Sequence, residues 1–304
     1  MRSSNILCIA IMDLAEAVEA CQYHRWKALF PRNRFKSRTI ALPCEFEDYM
    51  EQESIQLPNA DADEELLRAP SLLALMTSIQ GAIEEIGPVV PKLNWSVPAD
   101  ATWMHELRCE QAGDVLTLLK SSDQVAADLD TLKLVKERMQ AGELVLNLVK
   151  YHELRDGMQF RCFVRAKTLV AVSQRDTSAW QPFLKDMQAQ LQHILSDFFL
   201  STVKSTFPLL NCRTHTDTLD IYIDLPPRFK CWLLDFGPWD SSVDSGLFTW
   251  EELEQMSESQ IRVIEEQQAI RPSRFAACRG PLEMTEVQSR QEVEAFLAGL
   301  KDES

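Results

Sequence analysis

The stretch from Glu143 to Phe236 most constrains what this chain can fold into. Five segments there carry strand-like patterns, and one between them carries a helical pattern. Glu143–Lys150 is mostly apolar and contains Leu-Val-Leu, which suits a buried strand. Met158–Arg165 alternates, with Phe160, Cys162 and Val164 on one side and Arg161, Phe163 and Arg165 on the other. Thr168–Gln174 follows after Ala166-Lys167, which predicts a hairpin although Ala-Lys is not a preferred two-residue turn. Thr218–Asp224 and Cys231–Phe236 read as two more strands, joined across Pro226-Pro227. Between them, residues 182–204 place Leu184, Met187, Leu191, Ile194, Leu195, Phe198 and Phe199 on one helical face. Strands separated by an amphipathic helix require a mixed α/β domain in which helices cover a sheet.

The flanks are less regular. Residues 5–30 read as a helix through Leu7, Ile11, Leu14, Val18 and Cys21. Residues 54–65 are polar and acidic and read as a loop broken at Pro58-Asn59. A helix is expected over 69–86, capped by Ser71 and ended by Gly87-Pro88, followed by a short strand running from Val89 toward Trp95. Helices are expected again at about 250–267 and 290–301, and there is no internal repeat.

Composition excludes several classes of function. The 304 residues carry a net charge of −15, which disfavours nucleic acid as a main partner because phosphate neutralisation needs a basic surface. Residues 1–40 hold seven basic and three acidic residues, whereas 41–67 hold nine acids and no base. On charge alone these are two solvated surfaces, the alternative being a docking surface for a basic partner. The longest uncharged apolar run near the start, Asn5–Met12, is too short to cross a bilayer and is followed by acids, so no membrane association is expected. Eight cysteines form no Cys-x-x-Cys pair, which points to reduced thiols in a cytoplasmic protein. The five histidines show no paired-ligand spacing.

Two carboxylates carry the chemical reading. Asp220 lies inside Leu219-Asp220-Ile221-Tyr222, and Asp235 ends Trp232-Leu233-Leu234-Asp235-Phe236. On adjacent antiparallel strands both would reach one side of a sheet. One or two carboxylates completed by water and phosphate oxygens suit magnesium. The alternative is a structural salt-bridge network with Arg161, Arg175 or Lys150. Asp235-Phe236-Gly237 also matches the short metal-binding tripeptide of protein kinases. However, the chain has no Gly-x-Gly, no His-Arg-Asp catalytic loop and no Gly-x-x-x-x-Gly-Lys-Ser/Thr. Phosphate would therefore be held by side chains, with Lys92, Lys150, Arg161 and Arg175 as candidates. Cys162 reads as a core thiol.

Seven blocks in order resemble the cell division cycle protein 123 family, a divergent branch of the ATP-grasp fold. They are Pro91-Lys92-Leu93-Asn94-Trp95-Ser96 with Pro98 and Asp100; Leu119-Lys120-Ser121-Ser122-Asp123; Gly157 to Val164; Ser173-Gln174-Arg175-Asp176; Asp220-Ile221-Tyr222; Leu234-Asp235-Phe236; and Leu247 to Leu253. The resemblance implies an α+β, two-lobed ATP-grasp-like fold, as one unit over residues 1–255. Its lobes would divide at about 21–140 and 141–255, and a helical tail would cover 256–304. It implies that Lys92, Trp95, Ser96, Val97 and Asp100 line an ATP site, and that Val149, Lys150 and Tyr151 form the hinge strand facing adenine. Arg161 and Arg175 would reach phosphate or the acceptor side, and Asp220 and Asp235 would hold Mg2+. It further implies an assembly chaperone for eukaryotic translation initiation factor 2 that binds the gamma subunit and supports translation initiation and cell-cycle entry. An ATP-dependent ligase forming an amide bond is the alternative, and an interaction protein that keeps the fold without using ATP is a third reading. The acidic 41–67 stretch falls in and after the family's N-terminal block, which makes docking of a basic partner testable. The chain departs from the family twice. Gly237 stands where the family has an Asn that supplies a metal oxygen, leaving water, Asp240 or Asp244 to substitute. The hinge also lacks the family's leading Arg and Trp.

Overall fold

Two antiparallel-rich sheets, each with its own apolar core, organise the chain. The computed structural model describes residues 18–52, 54–102, 106–139, 143–207, 217–240 and 243–267. The helices are α1 (Tyr23–Trp26), α2 (Glu45–Glu51), α3 (Pro70–Ile86), α4 (Ala112–Lys120), α5 (Asp123–Met139), α6 (Pro182–Phe198) and α7 (Trp250–Gln255). The strands are β1 (Ser37–Ala41), β2 (Val89–Leu93), β3 (Val145–Lys150), β4 (Gln159–Arg165), β5 (Thr168–Gln174), β6 (Asp217–Ile223), β7 (Cys231–Pro238) and β8 (Gln260–Arg262). The small sheet has the order β1-β3-β2 and the large one β7-β6-β4-β5-β8. The mixed two-lobed α+β architecture is the one expected.

The small sheet is apolar on one face, where Leu93, Leu146 and Leu148 join a core with α3, α4 and α5 through Leu75, Ile79, Ile83, Leu116 and Leu129. Its other face carries Ser37, Thr39, Lys92 and Asn147 beside Val90, Val145 and Val149. The large sheet buries Phe160, Cys162, Val164, Leu219, Ile221 and Ile223 against the α6 stripe Leu184, Leu191 and Leu195. Alternation along β4 sends Phe163 to the opposite face, where Phe248 and Leu253 cover it beside Trp239 and Trp250. Tyr23, Trp26 and Phe30 pack into the large sheet's core although they precede the small sheet in sequence. Trp26 and Phe236 have ring centroids 5.1 Å apart, so this segment straps the first lobe onto β7. Strand β3 is the central strand of the small sheet.

Several local expectations change. Of the helix expected over 5–30, the described part is helical at 18–20 and again for one turn in α1; residues 5–17 lie outside the described residues. Helix α3 begins with Pro70 at its first turn and Ala69 in the cap position, so Ser71 is inside the helix and does not cap it. The β4–β5 turn forms with Ala166 and Lys167 both at positive φ, 48° and 63°, the backbone a tight hairpin demands despite their side chains. The tail does not continue as helix to 267. Helix α7 stops at Gln255, and β8 pairs in parallel with β5, with Ile261 opposite Val172. Ile261, Val263 and Ile264 are buried there, and β-branched residues that cover a sheet edge favour a strand. The helix expected at 290–301 lies outside the described residues.

Cys44, Cys109, Cys162 and Cys231 are free thiols. Cys162 is buried in the core, and burial raises its thiol well above the ordinary range. Among the described residues no helix is long and apolar enough to cross a membrane.

Candidate functional site

The register of the large sheet aligns polar residues into one row across all five strands. Asp235 on β7 faces Asp220 on β6, Asp220 faces Arg161 on β4, Arg161 faces Ser173 on β5, and Ser173 faces Arg262 on β8. Cross-strand partners share a face, so these side chains rise together from the sheet. Arg161 grips Asp220 with a two-pronged contact, Nε to Oδ1 and Nη2 to Oδ2, both at 2.7 Å. Arg175 adds Nε to Asp220 Oδ2 at 3.2 Å and Nη1 to Asp244 Oδ2 at 3.1 Å, while Arg161 Nη1 donates to the Asp244 carbonyl at 3.0 Å. Burial alone would raise the Asp220 carboxyl, but the two guanidinium groups outweigh it and hold the acid well below the usual carboxylate range.

A second polar row crosses the small sheet, where Asn147 on β3 faces Thr39 on β1 and Lys92 on β2. The two rows meet. Lys92 is 3% exposed, and its Nζ lies 2.8 Å from Asp235 Oδ1. The ammonium also approaches the Leu234 carbonyl at 3.5 Å and sits 5.3 Å from the Tyr23 ring centroid. One ion pair therefore ties β2 of one sheet to β7 of the other. Asp235 Oδ1 accepts as well from the Phe236 amide at 2.9 Å, whereas Oδ2 accepts no hydrogen bond among the described residues. Burial and the neighbouring Asp220 charge raise the Asp235 carboxyl, against the pull of Lys92.

Alternation explains the Asp235-Phe236-Gly237 sequence. Asp235 joins the polar row, Phe236 points into the core and stacks on Phe207 at 4.2 Å between ring centroids, and Gly237 returns to the polar face opposite Thr218. A Cβ at 237 would come within 2.8 Å of Thr218 Oγ1, so glycine allows the close approach.

The other expected site residues surround this centre. The Trp95 ring packs against both cores, and its Nε1 donates to the Val18 carbonyl at 2.7 Å. Ser96 is held by Asp128, through its amide and its hydroxyl, each at 2.8 Å. Val97 is half-buried in the same loop. Asp100 is buried and accepts from the Ser122 hydroxyl at 2.6 Å and the Gln124 amide at 3.1 Å, closing the start of α5. Val149 faces Val90 and Ser37 inside the small sheet. The Lys150 and Tyr151 amides are bonded to the Lys36 and Pro88 carbonyls, each at 2.8 Å, and Arg108 lies 5.9 Å from the Tyr151 ring. Lys150 is exposed, and it is Lys92 rather than Lys150 that pairs with an acid of the row. The salt-bridge alternative thus describes the arrangement of Asp220 with Arg161 and Arg175. Among the described residues no group of three or more His, Cys, Asp or Glu gathers as metal ligands.

Sequence reasoning missed Asp128. It accepts from the Trp95 amide as well as from Ser96 and so fixes the loop after β2, and burial pushes its carboxyl up to about 6. The available signal was an acid next to Leu129 in the apolar stripe Val125, Leu129 and Leu132 of α5. It also missed the chain from Lys27 through Thr39 to Asn147, which depends on register alone.

The D123 family profile matches residues 61–288. The chain is 37% identical over 261 residues to cell division cycle protein 123 of Phaeosphaeria nodorum, covering 75% of this chain and 66% of that protein. It is 34% identical to a translation initiation factor eIF2 assembly protein of Aspergillus niger, covering 78% of this chain and 71% of that one. The chain therefore spans about two thirds of the length of these fungal relatives. The solved structure of Cdc123 from Schizosaccharomyces pombe superposes with a TM-score of 0.67 at 32% identity, covering 81% of this chain and 97% of that one. Profile, sequence and fold agree, and the chain belongs to the D123 family, that of cell division cycle protein 123.

Proposed function

We propose that this chain binds magnesium-ATP between its two sheets and acts in the cytoplasm as an assembly chaperone for eukaryotic translation initiation factor 2, through the gamma subunit. The observation that carries the nucleotide reading is the meeting of the two polar rows at Lys92 and Asp235. The partner reading is supported by relatives named as eIF2 assembly proteins. Residues 1–255 would work as one unit, and the link to translation would connect it to cell-cycle entry.

The donor set fits a hard cation. Asp235 Oδ2 is free of hydrogen bonds among the described residues, and Asp220 Oδ1 accepts only from Arg161 Nε, leaving it a lone pair. Asp220 and Asp235 would then hold Mg2+, whose chemistry when bound is to neutralise phosphate charge. Gly237 offers no side-chain oxygen, so water, Asp240 or Asp244 would have to supply the further oxygen. Lys92 would exchange Asp235 for phosphate. Arg161 and Arg175 orient Asp220 from behind. Trp95 and Val97, with Val149, Lys150 and Tyr151, would border the base, while Ser96 and Asp100 fix the intervening loop.

The test of the partner is retention of purified gamma subunit on the immobilised full chain at low salt, where acidic docking is strongest. Retention that weakens as salt rises is the expected result, and no retention at low salt refutes the gamma-subunit reading. Steady ADP release with an amide product would favour the ligase instead.

A further inference from the structure

Three buried hydrogen-bond donors gather beside the small sheet's polar residues without a full acceptor: Tyr23 OH, Arg34 Nε and Asn147 Nδ2. Lys27 donates from Nζ to Ser37 Oγ at 3.3 Å and to Thr39 Oγ1. Thr39, already accepting from the ammonium, must donate its own hydroxyl hydrogen to Asn147 Oδ1 at 2.7 Å. With Oδ1 on Thr39, the NH2 group of Asn147 is turned away from it. Asn147 is fully buried, and its Nδ2 has no partner. Tyr23, 3% exposed, has a buried hydroxyl whose contact with Ser37 falls short of a full hydrogen bond, and Arg34 has a buried Nε without one. Burial raises the Tyr23 phenol, so it stays protonated and able to donate.

The unmet groups share one sign. Among the described residues neither Lys27 nor Arg34 has a carboxylate within ion-pair distance. Lys27 and Lys92 lie 5.4 Å and 5.3 Å from the same Tyr23 ring centroid. Burial and the nearby Arg34 charge lower the Lys27 ammonium to about 8. Buried donors without acceptors are costly, and the Arg34 charge near the Lys27 ammonium adds to the cost. An oxyanion relieves both.

We propose that Lys27, Arg34, Tyr23 and Asn147 form a phosphate-binding subsite continuous with Lys92. The subsite depends on the nucleotide reading above only for what carries the phosphate, which is either the nucleotide itself or a free phosphate compound.

Calorimetry on the full chain with pyrophosphate, magnesium-ATP and adenosine tests it. Lys27→Gln and Arg34→Gln each weaken pyrophosphate binding about tenfold or more, the scale of one charge-assisted hydrogen bond, and leave adenosine affinity unchanged. A parallel loss for magnesium-ATP assigns the phosphate to the nucleotide, whereas a loss for pyrophosphate alone assigns it to a free phosphate compound. Lys27→Arg retains affinity. Asn147→Asp supplies the missing anion internally, so it abolishes pyrophosphate binding and raises Tm. Unchanged pyrophosphate and magnesium-ATP affinity in both glutamine variants overturns the subsite, as does wild-type protein that binds neither ligand or a lowered Tm in Asn147→Asp. If Lys92→Gln loses magnesium-ATP while the Lys27 and Arg34 variants bind everything normally, the nucleotide reading stands and the subsite falls.

Discussion

Replacing Asp220 by Asn tests the charged row at the partner of its most buried charge, Arg161. Arg161 is 8% exposed and directs Nε and Nη2 at the two carboxylate oxygens. Two unit charges about 4 Å apart attract by about 4 kcal/mol at an effective dielectric near 20. Much of that offsets the desolvation of both groups, so the intact pair contributes little net stability. Breaking it is different, because the guanidinium stays buried without its counter-charge, at about 3–5 kcal/mol. The Asn side chain also turns an NH2 group toward an Arg161 donor, where no hydrogen bond can form. Urea unfolding followed by circular dichroism should therefore show a loss of about 3–5 kcal/mol at pH 7. The folded-state pKa of Asp220 is depressed, so its contribution is complete above the unfolded value of about 3.9 and disappears as pH falls through the lower folded value. The gap between wild type and Asp220→Asn must shrink below about pH 4. A loss under about 1 kcal/mol at pH 7, the range of an exposed pair, or a gap that ignores pH would refute the reasoning.

Other sites give independent tests. Asp128→Asn keeps the acceptor for the Trp95 and Ser96 amides, so stability at pH 7 should hold or rise. Its folded pKa is raised to about 6, so wild type loses stability as pH climbs from 4 to 6, and the variant should lack that slope in thermal melts. Asp128→Ala, by contrast, strands three donors and should cost about 2–4 kcal/mol in urea. Gly237→Ala drives its Cβ onto Thr218 Oγ1, costing about 1–3 kcal/mol, and adding Thr218→Ala should recover most of it in a double-mutant cycle. Trp26→Ala removes the fully buried strap on Phe236 and should cost about 3–5 kcal/mol by chemical denaturation.

The elements with strong periodicity were legible in the sequence. Alternation along 158–165 and 168–174 located β4 and β5, and the stripe from Leu184 to Phe199 located α6, because each pattern reports one buried face. Two acids on neighbouring strands were also readable. What they touch was not. Register decides that Asp220 meets Arg161, and packing between lobes decides that Lys92 meets Asp235; neither leaves a local trace in the residues between. The segment after Gln255 misled for a related reason. Acids and glutamines there suit a helix, but β5 presents an open edge, and Ile261 fills it as strand β8. Asp128 was hidden because its three partners lie on a loop distant in sequence.

The meeting of the two rows, read as a magnesium-nucleotide site, is open to one direct measurement. Calorimetric titration of the full chain with ATP, with and without Mg2+, tests it most directly, in wild type and in Asp220→Ala and Asp235→Ala. Saturable binding that needs Mg2+ is expected in wild type and is lost in both variants, with Asp235→Ala remaining folded by circular dichroism. Equal affinity in wild type and Asp235→Ala, or binding indifferent to Mg2+, would contradict it.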